Sequence, residues 1–156
     1  MTELLRYDED TAFTLADDAA TVSALVRRTD PARLASTRFG EWTAVQLIAH
    51  VADSAEIFAE RVRRCVEEDQ PAISSFDPDA RMAELVGTGT LDPMDLSRRL
   101  QRAHQAIVQA MQRPGAAERT GVHSDWGHVP ASHFAAYQAR HSHEHVVELA
   151  AAFPPA

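Results

Sequence analysis

The chain has 156 residues, of which 45% are hydrophobic and 24% charged, so we expect one globular domain over residues 1–156 with its core at about residues 10–152. The 23 acidic and 15 basic residues give a formal charge of −8, which argues against an extended basic surface for nucleic acid. The sequence has no apolar run that could span a bilayer, no secretory signal at its acidic beginning and one cysteine, Cys65. We therefore expect a cytoplasmic protein without an intrachain disulfide and without a membrane partner.

The first half of the chain predicts two long helices. Apolar residues at intervals of three or four indicate a helix from about Asp10 to Arg28, and Pro31 ends it because proline disfavours helical backbone in the preceding residue. A second helix begins after Thr43, a suitable N-cap, and continues to about Glu68. Its inward stripe consists of Leu47, Val51, Ser54, Phe58, Val62 and Cys65.

The second half of the chain predicts two more long helices. A loop over residues 69–79 and one or two helical turns at about residues 80–86 precede a third helix, which starts at Asp92-Pro93 and ends at Pro114-Gly115. We expect an irregular loop over residues 114–128 and a fourth helix from about Pro130 to Ala152. No segment alternates with a period of two, so no strand is predicted. The pattern is that of an all-α four-helix bundle with long connections after its second and third helices.

The histidines of the chain are more numerous than an ordinary helical domain requires. Eight are present, and His141 and His145 lie one turn apart on the inner stripe of the fourth helix. Their imidazoles can converge on one cation, and His50 on the second helix offers a third ligand. His143 points away from this stripe and is expected in solvent. Three imidazoles that leave one position open are typical of a reactive metal site, whereas a hydrogen-bonded core role is the alternative for each histidine.

The segments that carry these histidines resemble a known family. Residues 42–54, WTAVQLIAHVADS, are similar to the helix signature of the DinB-like superfamily, closest to its YfiT-like bacillithiol transferase branch. Residues 67–73, EEDQPAI, resemble the acidic, proline-containing segment that follows, and residues 139–145, ARHSHEH, resemble the H-x-x-x-H helix near the C-terminus. The name denotes a metal-binding bundle here, and not the DNA polymerase that shares it.

The resemblance implies a four-helix bundle in which His50, His141 and His145 hold a divalent ion, commonly zinc or nickel. It also implies an enzyme that uses a small thiol such as bacillithiol or mycothiol, and frequent homodimers. This chain lacks the tryptophan that we expect at about residues 80–85, and its loop over residues 121–127, with His123, Asp125 and Trp126, is particular to it. We expect both segments to determine the substrate specificity.

Further site residues follow from helix geometry. Asp53 lies three residues after His50, and Glu148 lies three residues after His145, so either carboxylate can hold an imidazole or accept a proton; a solvated surface carboxylate is the alternative. Tyr137 and His104 are expected to line the pocket, and His104 is equally well explained as a core histidine.

The remaining polar residues of interest have plainer interpretations. His133 is expected at the rim of the site rather than as a ligand, and Cys65 as a small buried hydrophobe. Arg61, Arg63 and Arg64 are expected mostly on solvated faces, paired with nearby acids, although they could attract an anionic cosubstrate.

Three functions are compatible with these residues. The favoured one is a metal-dependent transferase that joins a small thiol to a small electrophile, because a metal ionises a coordinated thiol and the thiolate is the nucleophile. The second is a metal-dependent hydrolase in which water is the nucleophile. The third is a non-catalytic metal- or ligand-binding stress protein.

Overall fold

The computed structural model describes residues 3–89 and 91–155. Within them, six α-helices follow one another along the chain: α1 (Glu9–Arg28), α2 (Pro31–Ser36), α3 (Ala44–Glu67), α4 (Pro78–Gly87), α5 (Pro93–Met111) and α6 (Ala131–Ala152). The four long ones, α1, α3, α5 and α6, match the four predicted helices to within about two residues at each end. The predicted all-α four-helix bundle is therefore confirmed.

The helices begin where their side chains can cap them. Asp8 accepts the backbone N–H of Thr11 at the start of α1. At the start of α3, the Thr43 hydroxyl accepts the N–H of Gln46, and the Gln46 side chain accepts the N–H of Thr43. This reciprocal pair satisfies two of the N–H groups that a helix start leaves free. It also determines where the helix that carries His50 begins.

The four long helices pack in a ring in which α1 and α3 are diagonal to each other. Both α1 and α3 pack against α5 and against α6. The apolar residues that recur every three or four positions are buried in this arrangement, including Leu15 and Val22 of α1 and Leu100 and Ile107 of α5. No helix in the described ranges combines the length and hydropathy that a membrane span requires.

The expectation of no strands is wrong. Short pairings occur between β1 (Arg38–Phe39) and β2 (Trp42–Thr43), and among β3 (Ala72–Ile73), β4 (Thr120–His123) and β5 (Gly127–Pro130). β3 runs parallel to β4, and β4 runs antiparallel to β5. Strands of two to four residues are too short to show a period of two, which is why the sequence pattern did not indicate them.

The β4–β5 hairpin occupies much of the segment that we expected to be an irregular loop. His123 pairs with Gly127, so three residues form the turn. Gly127, directly after these three residues, has φ +74°, a left-handed backbone that glycine adopts without steric cost. The His123 ring nitrogen Nδ1 accepts the backbone N–H groups of Asp125 and Trp126 at 3.0 and 3.1 Å, which stabilises the turn from inside.

Candidate metal centre

Three histidines from two neighbouring helices converge on one point. His50 comes from α3, and His141 and His145 come from α6; one ring nitrogen of each lies within 4.8 Å of those of the other two. The Nε2 atoms of His50 and His141 are 3.2 Å apart. The residues that the sequence singled out as a metal-binding set are therefore brought together by the packing of α3 against α6.

The donor set fits a divalent metal ion. Ring nitrogens at 2.0–2.1 Å from a tetrahedral ion are separated by about 3.3 Å, close to the His50–His141 separation. Burial, followed by the neighbouring imidazoles of His141 and His145, lowers the pKa of His50 to about 4. Burial, followed by the imidazole of His145, lowers the pKa of His141 to about 4. These two rings are thus neutral near pH 7 and keep lone pairs for a metal.

Outer contacts orient two of the rings. Glu148 Oε1 lies 3.1 Å from His145 Nδ1, so the carboxylate accepts the Nδ1–H and leaves Nε2 as the ligand atom. Trp42 packs on the other side of the group, with its ring centroid 4.8 Å from that of His50. A carboxylate behind a ligating imidazole is the usual arrangement in metal sites.

A buried chain of hydrogen bonds continues from His141 into the core. His141 Nδ1 lies 3.4 Å from Ser54 Oγ, which lies 3.3 Å from Gln138 Oε1; Gln138 Nε2 lies 3.1 Å from His104 Nε2. His104 Nδ1 lies 2.7 Å from the carbonyl oxygen of Leu15. Burial lowers the pKa of His104 to about 4, so this ring is neutral near pH 7.

The Leu15 carbonyl determines the direction of the whole chain, because it can only accept a hydrogen bond. His104 must donate from Nδ1, so its Nε2 accepts from the Gln138 amide. The amide oxygen of Gln138 then accepts from Ser54, whose oxygen accepts from His141 Nδ1–H. The Nε2 atom of His141 is consequently left with its lone pair directed toward the candidate metal position.

A cavity of about 190 Å³ opens beside the histidines. Its walls come from α3, α6, the β4–β5 hairpin and the segment before α4. The lining residues are His50, Ser54, Phe58, Arg61, Ser75, Phe76, Pro78, His123, Asp125, Trp126, Tyr137 and His141. This volume is below the 300–1,000 Å³ of pockets for drug-sized ligands, which suits a small substrate.

The other predicted site residues have different surroundings. Tyr137 lies in the cavity wall, stacked on Phe58 with a centroid separation of 5.3 Å. His104 does not line this cavity but lies at the inner end of the hydrogen-bonded chain. Asp53 is buried, and its two oxygens accept hydrogen bonds from Arg81 of α4 at 2.6 and 3.0 Å.

Three of the secondary predictions can be compared directly with the structure here. Cys65 is fully buried, as expected of a small hydrophobe. His143 is exposed, and its ring bonds to Asp18 at 3.1 Å. His133 is buried rather than at a rim, and its Nδ1 accepts the backbone N–H of Leu5.

Arg61 and His123 both line the cavity, whereas the sequence interpretation favoured a solvated face for Arg61 and placed His123 only within a loop expected to influence the choice of substrate. Arg61 was assigned to a solvated face, and this is wrong because only 5% of it is exposed. Its position held a usable signal, since it lies seven residues, or two helical turns, after Ser54 and hence on the same face. His123 reaches the cavity through the hairpin, for which no local pattern gave evidence.

The fold and the three-histidine centre together define a class of four-helix bundle proteins with a candidate divalent-metal site at one end of a small cavity. The chain belongs to the DinB superfamily, whose family model matches residues 14–149. The suspected relationship is thereby confirmed. No functionally curated protein matched the sequence.

Solved structures with the same fold extend the comparison. YfiT from Bacillus subtilis, described as a probable metal-dependent hydrolase with an unusual four-helix bundle topology, is 23% identical with a TM-score of 0.77, covering 97% of this chain and 93% of that one. A mycothiol-dependent maleylpyruvate isomerase is 21% identical with a TM-score of 0.69; the match covers 90% of this chain but 60% of the longer isomerase. TT2238, a four-helix bundle protein, is 23% identical with a TM-score of 0.62, covering 92% of this chain and 98% of that one. At these identities the likeness establishes the fold.

Proposed function

We propose that the protein is a metal-dependent thiol S-transferase that conjugates a low-molecular-weight thiol to a small electrophile. The observation that carries this proposal is the convergence of His50, His141 and His145 on one side of a small cavity with largely aromatic walls. A divalent ion held there would lower the pKa of a thiol at its open position and so supply the thiolate nucleophile. Imidazole donors suit zinc and nickel, which are the metals that we propose.

The thiol must come from outside the protein. Cys65, the only cysteine, is fully buried, and burial raises its pKa to about 11. It does not line the cavity. A small thiol of the bacillithiol or mycothiol type fills this requirement, and the description of the isomerase as mycothiol-dependent supports the choice.

Two carboxylates support the proposed centre from behind. Glu148 holds His145 through its Nδ1–H, so that Nε2 is presented to the ion. Asp53, held by Arg81, places a buried negative charge near His50, which favours a bound cation. We propose both as positioning residues, because neither lines the cavity where substrates would bind.

The test of this proposal is metal content together with thiol-dependent turnover. The tag-free protein is purified, its metal is measured by mass spectrometry, and consumption of 1-chloro-2,4-dinitrobenzene is followed with bacillithiol, mycothiol, glutathione or no thiol. We expect about one divalent ion per chain, as a single three-imidazole site would hold. Turnover should require one of the first two thiols.

The matched variants are His141→Ala and His143→Ala, two residues apart on the same helix. The first removes a proposed ligand and should lose both the metal and turnover, whereas the second removes an exposed ring and should lose neither. A folded His141→Ala variant that keeps its full metal content would overturn the assignment of the site.

A metal-dependent hydrolase is the second candidate. Two observations favour it: the description of YfiT and the carboxylate of Asp125 in the cavity wall, which can accept a proton from an attacking water. If the protein hydrolyses p-nitrophenyl esters, and this activity needs the metal but no thiol, the hydrolase hypothesis replaces the transferase hypothesis. Bound metal with neither reaction would leave a binding role.

A further inference from the structure

One buried cation in the cavity wall is not used by the proposed metal centre. Arg61 is only 5% exposed, and its guanidinium packs over the rings of Phe58, Phe76 and Phe134 at 4.8, 5.4 and 5.7 Å. One of its nitrogens donates a hydrogen bond to the Ser74 carbonyl at 2.6 Å. The rings hold the guanidinium plane in place, which leaves the rest of its N–H edge for another partner.

The described residues provide no acidic partner for this cation. The nearby carboxylates on α3 are paired elsewhere: Asp53 with Arg81, and Glu60 with Arg63. Asp125 lines the same cavity, but it forms no ion pair with Arg61. A guanidinium stays charged in proteins, and a buried charge is costly unless an anion compensates it. The protein therefore carries a desolvated positive charge in a cavity that opens next to its histidines.

A second hydrogen-bond donor faces the same space. His123 is buried in the cavity wall, and its Nδ1 accepts two backbone N–H groups in the hairpin turn. A neutral His123 consequently carries its proton on Nε2, which can donate to a ligand. The remaining walls are largely aromatic: Tyr137 stacks on Phe58 and also packs against Trp126, with ring centroids 5.3 Å apart in both pairs. The cavity thus combines one cation and one neutral donor with apolar surfaces.

We infer that Arg61 binds a carboxylate group of the substrate, and that the protein acts on small carboxylic acids with an apolar or unsaturated body. Arg61 lies eleven residues after His50 on α3, about 16 Å along the helix axis, and side chains of a helix lean back toward its N-terminus. The carboxylate and the reacting atom would therefore occupy opposite ends of the cavity. As a statement about the substrate, this inference rests on the proposed function; the binding of a carboxylate at Arg61 does not.

The test is the preference of the cavity for a carboxylate over its neutral analogue. Benzoate and benzamide have the same size, and their dissociation constants are measured by isothermal titration calorimetry with the metal-loaded and the chelator-treated protein. We expect benzoate to bind roughly tenfold or more tightly than benzamide in both forms, since a hydrogen bond between charged groups is stronger than one to a neutral amide. A preference that needs the metal would mean that the ion and not Arg61 holds the carboxylate, and would overturn the inference.

The variants are Arg61→Gln, Arg61→Lys and the control Arg63→Gln, which makes the same change at an exposed position two residues away. Arg61→Gln should lose the preference for benzoate while binding benzamide as before, and Arg63→Gln should retain the preference. Arg61→Lys keeps the charge without the two-pronged geometry, so a reduced preference is expected. A folded Arg61→Gln variant with an unchanged preference contradicts the inference. If that variant does not fold, a wild type that binds both probes equally well still contradicts it.

The substrate that brings the carboxylate is identified by competition. The benzoate titration is repeated in the metal-loaded protein saturated with 3-mercaptopropionate or with 2-mercaptoethanol. If only 3-mercaptopropionate displaces benzoate, Arg61 binds the carboxylate of the thiol. If the two thiols have the same effect on benzoate binding, Arg61 binds the carboxylate of the electrophile. Both outcomes require a carboxylate site. Since these titrations need no turnover, a failure of the transferase proposal leaves this inference standing, and an active transferase without a carboxylate preference overturns only this inference.

Discussion

The tautomer of His141 depends on residues that do not contact the proposed metal. The Leu15 carbonyl requires His104 to donate, and this requirement passes through Gln138 and Ser54 to His141 Nδ1. Each member is buried or partly buried, so a broken link would leave a polar atom without a partner. We therefore propose His104 and Gln138 as positioning residues for the candidate centre, although neither belongs to its ligand set.

Gln138→Leu should weaken metal binding without touching a ligand. The leucine removes the acceptor of the Ser54 hydroxyl and the donor to His104 Nε2, so we expect metal affinity to fall about 10–100-fold and the free energy of unfolding to fall by about 1–3 kcal/mol. Competition with a chromophoric chelator and urea unfolding measure the two effects. Gln105→Leu makes the same change at an exposed position beside His104, and it should lower neither the metal affinity nor the free energy of unfolding. A folded Gln138→Leu variant with wild-type metal affinity would show that the chain of hydrogen bonds does not orient His141.

The β4–β5 hairpin is the element that turns a bundle surface into a cavity. It brings His123, Asp125 and Trp126 opposite α3, and it is held against the end of the bundle by its parallel pairing with β3. The close approach occurs at Gly121, where an added Cβ would lie 3.0 Å from Cys65 Sγ and 3.0 Å from Ile73 Cγ1. A side chain at this position would force its neighbours in α3 and β3 to move by a few tenths of an ångström.

Gly121→Ala should loosen the hairpin. The methyl group overpacks this contact, so we expect a loss of about 1–3 kcal/mol in the free energy of unfolding. Gly87→Ala is the matched control: it has no atom within 4 Å of the added Cβ, and it lies at the end of α4 with an ordinary backbone. Thermal unfolding should separate the two variants, and equal midpoints would contradict the packing argument.

The bundle as a whole buries neutral imidazoles, which makes its stability depend on pH. Burial is the first cause of the low pKa of His50, His104 and His141, each lowered to about 4 from an ordinary value of 6.5. Between these two values the unfolded chain binds protons that the folded chain does not, so the free energy of unfolding falls as the pH falls. Asp18, whose pKa burial raises, acts in the opposite direction but is a single group.

The metal-free protein should accordingly lose stability between about pH 6.5 and pH 4. Each of the three histidines contributes a loss of up to about 1.4 kcal/mol per pH unit in this window, and none above it. Urea unfolding at pH 7.5, 6.5, 5.5 and 5.0 measures the slope, and His128→Ala, at an exposed position, should leave it unchanged. Equal free energies of unfolding at pH 7.5 and pH 5.0 would refute the prediction.

The sequence by itself was sufficient for the helices and for the helix faces on which the three histidines lie, and the resemblance to the DinB-like superfamily singled these histidines out as a ligand set. Helical periodicity is a local property, so the faces of α3 and α6 and the positions of His50, His141 and His145 on them follow from spacing. The acidic composition and the single cysteine could likewise be interpreted without a fold. These features depend on residues a few positions apart, and short-range geometry is what a sequence records directly.

The tertiary structure decided what surrounds those histidines. The β4–β5 hairpin forms through long-range pairing, the partner of Asp53 is 28 residues away, and the hydrogen-bonded chain from Leu15 to His141 joins all four long helices. The tertiary structure also separates the remaining histidines: His104 lies at the inner end of the hydrogen bonds that lead to His141, and His123 faces the cavity. Arg61 changed most, from an expected surface charge to a buried cation, because burial depends on which elements pack over a helix face and not on that helix alone.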